Sequence, residues 1–241
     1  AVTEKAAGLA DRLHRMLAVI AQKECPEVDI GPHCNAPNPC PLKPECWKHV
    51  DRHRNNVFHL HRLGEKAWQL YRAGILENGK IPSTFRLSKS QRIQLEAERT
   101  GRPQVERPAL AAFLAGLRYP LHFLDFETFQ AAIPLVEGTR PWQQIPFQFS
   151  LHVVPAADAE PAHHGWLWDG TGDPRRELLA RLPALLGSRG SIVAFNAGFE
   201  KARLRDCAEA SPGFSAWRKG VLDRFVDLLA PFSSFLVYHP D

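Results

Sequence analysis

Residues 121–129, "LHFLDFETF", set two carboxylates, Asp125 and Glu127, into an otherwise apolar run. A strand alternates its side chains, so both carboxylates would face one side of a sheet while Leu124 and Phe126 face the other. Burying two like charges side by side is costly unless something neutralises them. A divalent metal ion is one answer, and a strand end open to solvent is the other.

The run belongs to a stretch whose texture changes at Tyr119. "LHFLDFET", "FQFSLHVV" and "HHGWLWD" are short, aromatic-rich and bounded by Pro and Gly, which predicts three strands. "GDPRRELLARLPALLGS" predicts a helix capped by Asp173, with Pro174 at its first position and Pro183 as a kink or early end. "SIVAF" reads as a buried strand, "GFEKARLRDCAEA" as a helix, and "VLDRFVDLLAPF" as a further helix ending near Pro231. Strands first and then alternating helices and strands describe an α/β domain over 118–241.

Residues 3–22 read as one helix, with Leu9, Leu13, Met16, Leu17 and Ile20 at helical spacing. Residues 23–47 are a loop rich in cysteine and proline. Residues 56–74 return to a helical stripe of Leu60, Leu63, Ala67, Leu70 and Tyr71, stopped by Gly74. Ser88 and Gln91 have the spacing of a capping box for a helix closed by Gly101, and a short helix over 108–116 begins with Pro108. From Lys48 to Arg107 there are thirteen Lys and Arg against six Asp and Glu. Residues 48–117 therefore read as a basic helical connector, either a solvated surface or a surface that meets phosphates.

The 241 residues carry a formal charge of only +4, so the balance of the whole chain selects no partner. No apolar run approaches the roughly 18–20 residues of a membrane span. No signal-peptide pattern is present. The sequence starts at Ala1, its one methionine is Met16, and it stops in "VYHPD", which reads as an internal piece of a longer product. Five cysteines without a secretory signal point to a reducing compartment, the cytoplasm, where clustered cysteines hold metal more often than disulfides.

Cys34, Cys40 and Cys46 are evenly spaced, with five residues between neighbours, in "PHCNAPNPCPLKPECW". The prolines keep this segment from becoming helix or sheet, so thiolates around a metal or cluster are expected to hold it. Sulfur sites normally need four ligands. Cys25, His33 or a cysteine outside this sequence could be the fourth, and spacing leaves zinc and iron–sulfur both open. Cys207 lies on a predicted helix and reads as core.

The carboxylate pair gains weight from "IVAFNAGFEKARL", where a buried strand runs into a helix start carrying Asn196 and Glu200. A carboxylate in the first turn of such a helix can point back at the strand ends. Asp227 in "RFVDLL" is a further neighbour. Carboxylates converging at strand ends can hold two Mg²⁺ ions about 3.5–4 Å apart for phosphodiester cleavage.

The pairing of "FLDFET" with "NAGFEKARL" and the order of elements resemble the DnaQ-like 3′–5′ exonucleases of the ribonuclease H fold. The resemblance implies a first motif at Asp125 and Glu127 and a second at Asn196, Phe199 and Glu200, with Glu200 standing where that group usually has Asp. It also implies a final His or Tyr and Asp beyond Asp241. The longer phrases "YPLHFLDFETF", "GTRPWQQIPFQFSLHVV", "DPRRELL", "FEKARL" and "DLLAPF" resemble a bacterial family known as domain of unknown function 2779. In that family a DnaQ-like part follows a RecB-like nuclease domain. "IGPHCNAPNPCPLKPECW" looks like the cysteine segment that ends such domains and helps hold a 4Fe–4S cluster in CRISPR-associated relatives, the fourth cysteine coming from near the domain's N-terminal end.

The expected architecture is thus α/β: a ribonuclease H-like mixed sheet with flanking helices over 118–241, truncated at its C-terminus. The helical connector at 48–117 and the end of a RecB-like domain at 1–47 precede it. The expected function is metal-dependent DNA cleavage in repair, recombination or defence. Asp125, Glu127 and Glu200 would bind Mg²⁺ or Mn²⁺, with Asp227 beside them and Asn196 and Phe199 on the substrate side. Cys34, Cys40 and Cys46 would bind a 4Fe–4S cluster, or Zn²⁺ in the alternative. His239 is in the region of a general base by position alone. The alternatives are a nuclease fold with a degraded site that only binds nucleic acid, and a scaffold with a structural zinc knuckle. No G-x-S-x-G elbow or phosphate-binding glycine loop supports another hydrolase. No membrane partner is expected, and the oligomeric state is open.

Overall fold

A computed structural model describes residues 6–24 and 27–240. Cys25 and the first residues of the predicted helix over 3–22 lie outside the described residues. The chain divides into two units, Ala1–Arg86 and Leu87–Asp241. No helix among the described residues is long and apolar enough to cross a membrane.

In the first unit, helix α1 (Leu9–Ile20) exposes the whole of its predicted apolar stripe. The cysteine loop holds two short turns, a 3₁₀ turn at Pro32–Asn35 and helix α2 (Lys43–Cys46), where the sequence predicts neither. Each has a proline within its first two positions, where a missing N–H costs nothing. Helix α3 (Lys48–Asp51) follows. The helix expected over 56–74 is broken. Asn56 accepts the Phe58 N–H and caps a 3₁₀ turn at Val57–His59. Gly64 then takes φ 58°, and helix α4 runs only over Glu65–Arg72. Leu60 and Leu63 stay buried without being helical. Gly74 closes the segment at φ 74°, as its sequence position predicts. A small core of Ile30, Cys34, Trp47, Val50 and Trp68 joins the loop to α4. Trp47, Phe58 and Trp68 meet edge to face within it.

The second unit opens with helix α5 (Lys89–Thr100), closed by the Ser88–Gln91 capping box and by Gly101 at φ 62°. Strand β1 (Gln104–Val105) pairs with β7 (Val237–Tyr238), and helix α6 (Arg107–Ala115) leads to the main sheet. Its strands are β2 (Leu121–Phe129), β3 (Ile145–Val154), β4 (Ala162–Leu167), β5 (Ser191–Ala194) and β6 (Phe225–Asp227). They lie in the order β4-β3-β2-β5-β6. β2, β3 and β4 are antiparallel neighbours, while β5 is parallel to β2 and β6 parallel to β5. The unit is a mixed α/β sheet with flanking helices.

Helix α7 (Pro174–Leu186) starts from the Asp173 cap and runs past Pro183 for another three residues. Leu178, Leu179, Leu182 and Leu186 pack against Leu124 and Phe126 of β2 and Phe149 and Leu151 of β3. Helix α8 (Gly198–Glu209) adds Leu204 and Cys207 to this core. Burial pushes the Cys207 thiol up to about 12, so it stays a neutral apolar filler.

"VLDRFVDLLAPF" is not one helix. Helix α9 (Ser215–Leu222) ends two residues into it, residues 225–227 form β6, and a short helix α10 (Ala230–Ser233) follows. The cause is tertiary. β5 offers Ile192, Val193 and Ala194 as parallel partners to Phe225, Val226 and Asp227. The Arg224 guanidinium donates to the carbonyls of Leu186, Gly187 and Gly190 at 2.8 Å each, and also to that of Arg189, which holds the chain extended there.

Candidate metal centre

The predicted alternation on β2 holds. Leu124 and Phe126 are buried, while Asp125 and Glu127 stand on the exposed face. On this strand, solvent accommodates the like charges.

The neighbouring parallel strands end beside this pair. Past Ala194 the chain turns sharply into α8, and Asn196 takes the left-handed φ of 62°. Asn and Asp tolerate that region better than most residues. The turn is held by Asp227 at the end of β6, whose Oδ1 accepts the Asn196 N–H at 2.9 Å and the Leu229 N–H at 2.9 Å. The Leu228 N–H donates to the Ala194 carbonyl at 2.9 Å. Asp227 is therefore a strand residue that braces the backbone rather than a residue on a helix face.

Glu200 occupies the first turn of α8. It is 3 % exposed, and its Oε2 is buried with no hydrogen-bond partner. Burial pushes its carboxyl above the ordinary range, and the charges of Asp125 and Asp227 push the same way. The Glu200 backbone N–H offsets this in part. Carboxylates from β2, β6 and α8 thus act on one another electrostatically at one end of the sheet. Hard divalent cations take oxygen ligands, and one placed here would relieve both the orphan oxygen and the mutual repulsion. As the side chains stand, no three His, Cys, Asp or Glu among the described residues close on a common point that could hold a metal ion.

Asn196 is exposed, whereas Phe199 is half-buried at the rim of the main core, with the Arg203 guanidinium 5.2 Å from its ring centre. Cys34, Cys40 and Cys46 are free thiols in different surroundings. Cys34 is buried in the small core and its Sγ accepts the Gly31 N–H at 3.5 Å. Cys40 is half-buried, its N–H donating to the Cys34 carbonyl at 2.8 Å, and Cys46 is exposed. His239 follows β7 and is exposed.

Sequence reasoning missed two features of the sheet. One is the Arg224 brace, whose partners lie more than thirty residues away. The other is a polar row of Ser150, His152 and His163 on the face that carries Asp125. Only the alternation within each strand hinted at it.

The sequence model of the family described as domain of unknown function (DUF2779) matches residues 122–241. No curated protein and no solved structure matches the chain. The matched span begins on β2 and covers the whole candidate centre.

Proposed function

We propose that residues 122–241 form a ribonuclease H-like, metal-dependent nuclease domain that hydrolyses the phosphodiester bonds of DNA as a 3′–5′ exonuclease. The observation that carries this reading is Glu200: a buried carboxylate with an unpartnered oxygen, under the charge of Asp125 and Asp227. A buried acid under like-charge pressure marks a functional site more often than a structural one. The sheet supports the reading, because ligands of open α/β sheets bind beyond the carboxyl ends of strands, where these groups sit.

Asp125, Glu127 and Glu200 would hold Mg²⁺ or Mn²⁺. Such ions, when bound, activate water and stabilise the leaving oxygen. Asp227 fixes the turn that delivers Glu200, Asn196 shapes the same turn, and Phe199 anchors α8 beside it. In the first unit, Cys34, Cys40 and Cys46 would serve as three of the four ligands of a 4Fe–4S brace at the end of a RecB-like domain. That requires the exposed Cys46 to swing toward the buried Cys34. The basic stretch from Lys48 would meet the DNA backbone, and a cytoplasmic setting would keep the thiols reduced.

The test is digestion of end-labelled single- and double-stranded DNA with Mg²⁺ or Mn²⁺, comparing the protein with Asp125→Ala and Glu200→Gln. Metal-dependent cleavage that both variants lose is the expected result. A second reading, a nucleic-acid-binding module with an inactive site, is favoured by the absence among the described residues of three side chains closing on one point. DNA binding without cleavage in all three proteins selects it.

A further inference from the structure

The exposed face of the sheet carries polar side chains that the carboxylate centre does not account for. Ser150 on β3 is the cross-strand partner of Asp125, and His152 is the partner of Phe123. On β4, Gly165 pairs with Ser150 and His163 with His152. Directly paired residues project to the same face, so Asp125, Ser150, His152 and His163 share one surface.

Ser150 Oγ lies 3.1 Å from His163 Nε2. The His152 and His163 rings stack with centroids 4.4 Å apart and planes 29° from parallel. Both rings are exposed and Ser150 is half-buried. One hydroxyl thus stands between a carboxylate strand and an imidazole that reaches solvent. Side chains directly opposed on neighbouring strands have Cβ atoms about 4.5–5.5 Å apart, a span that one water can bridge between Asp125 and Ser150. Imidazole is the group on this face whose ordinary pKa lies near neutrality. The groups facing His163 are His152 and Ser150 on β3 and, one strand further, Asp125 and Glu127.

We propose that Ser150 and His163 accept the proton of the attacking water in the nuclease centre, an inference that rests on the function proposed above. The water gives a proton to Ser150 Oγ while Ser150 gives its own to His163 Nε2. The water oxygen bonds to phosphorus, the bond from phosphorus to the leaving sugar oxygen breaks, and that oxygen takes a proton from solvent. Ser150 touches the reacting water and is the catalytic residue. His163 acts through it as a positioning residue and proton store.

The experiment combines pH–rate profiles of DNA cleavage with NMR titration of the histidines in metal-free protein. It uses the full chain, Ser150→Ala, Ser150→Thr, His163→Gln and Asp125→Ala. Cleavage by the unaltered protein should rise with pH through the imidazole range. His163→Gln and Ser150→Ala should lose that rise and about 100-fold in rate at neutral pH, and Ser150→Thr should recover both. In metal-free protein, Ser150→Ala should move the His163 titration midpoint and leave that of His164 in place. An active protein, inactive as Asp125→Ala but with an unchanged pH profile in both relay variants, overturns the relay and leaves the nuclease standing. So does a His163 midpoint indifferent to Ser150→Ala. No cleavage by the unaltered protein overturns both.

Discussion

The Asp227 carboxylate accepts the backbone N–H of Asn196 at 2.9 Å, joining the end of β6 to the turn that aims Glu200. The same oxygen also accepts the Leu229 N–H, so one atom fixes both chain segments. Asp227→Ala leaves two donors without their acceptor and frees a residue held at positive φ. Such a loss costs about 1–2 kcal/mol. Asp227→Asn keeps the carbonyl oxygen and should cost less than half as much. Urea unfolding of the two variants separates a brace from a metal ligand. A brace is spared by Asn, whereas a ligand that needs its charge loses divalent-cation affinity in both.

Gly190 sits at φ +86° where the chain passes Pro120. A Cβ there would fall 2.1 Å from the Pro120 carbonyl oxygen and 2.9 Å from the ring Cδ. Neither is a flexible side-chain end, so the backbone itself must move. Gly190→Ala should destabilise the second unit by at least about 2 kcal/mol. A thermal midpoint within a degree of the unaltered protein would show that the β5 entry is looser than its contacts imply.

His122 lies 2 % exposed on β2, its Nδ1 donating to the Ser191 carbonyl at 3.3 Å. Burial depresses its pKa first and the Arg224 charge adds to that, while the bonds to the Ser191 and Pro120 backbones oppose both. A depressed folded-state pKa means that the unfolded chain binds the extra proton. Stability from this group is therefore complete above its unfolded pKa of about 6.5 and is lost as pH falls from there through the folded value. His122→Gln should flatten the fall in stability between about pH 7 and about pH 5, a window in which imidazole is the main side chain to titrate. An unchanged slope in chemical denaturation at the two pH values would assign that fall to other histidines.

These positions differ in how far the sequence reveals them. The alternation in "LHFLDFETF" suffices to put Leu124 and Phe126 in the core and Asp125 and Glu127 outside, because a period of two belongs to one strand alone. The Ser88–Gln91 box and the Asp173 cap are equally local. β6 is not: Leu222, Phe225, Val226 and Leu229 recur at helical spacing, and only β5 and the carbonyls held by Arg224 make the chain extend there. The stripe over 56–74 fails for a local reason that hydrophobic spacing hides, the Asn56 cap and the positive φ of Gly64. Ser150 meets His163 only after the β3–β4 register is fixed, and no spacing within one strand contains that register.

Glu200 gives the most direct test of the candidate centre. Its folded-state pKa is raised, by burial first and then by Asp125 and Asp227, so the folded protein holds the proton more tightly than the unfolded chain. The linkage runs opposite to that of a salt-bridged acid. The group is neutral and costs little below its unfolded pKa, and stability falls as pH rises from there through the folded value. Above both, a charge with an orphan oxygen remains buried. Glu200→Gln removes the charge and should raise metal-free stability at neutral pH by about 1 kcal/mol, the amide still lacking full hydrogen bonding. A divalent cation that binds the folded state should stabilise the unaltered protein in proportion to its saturation and do so far less in Glu200→Gln. Melting curves with and without Mn²⁺, for both proteins, read the two effects together. Destabilisation of the metal-free variant would mean that Glu200 has a structural partner in solution. Equal Mn²⁺ stabilisation of both proteins would move the cation away from α8.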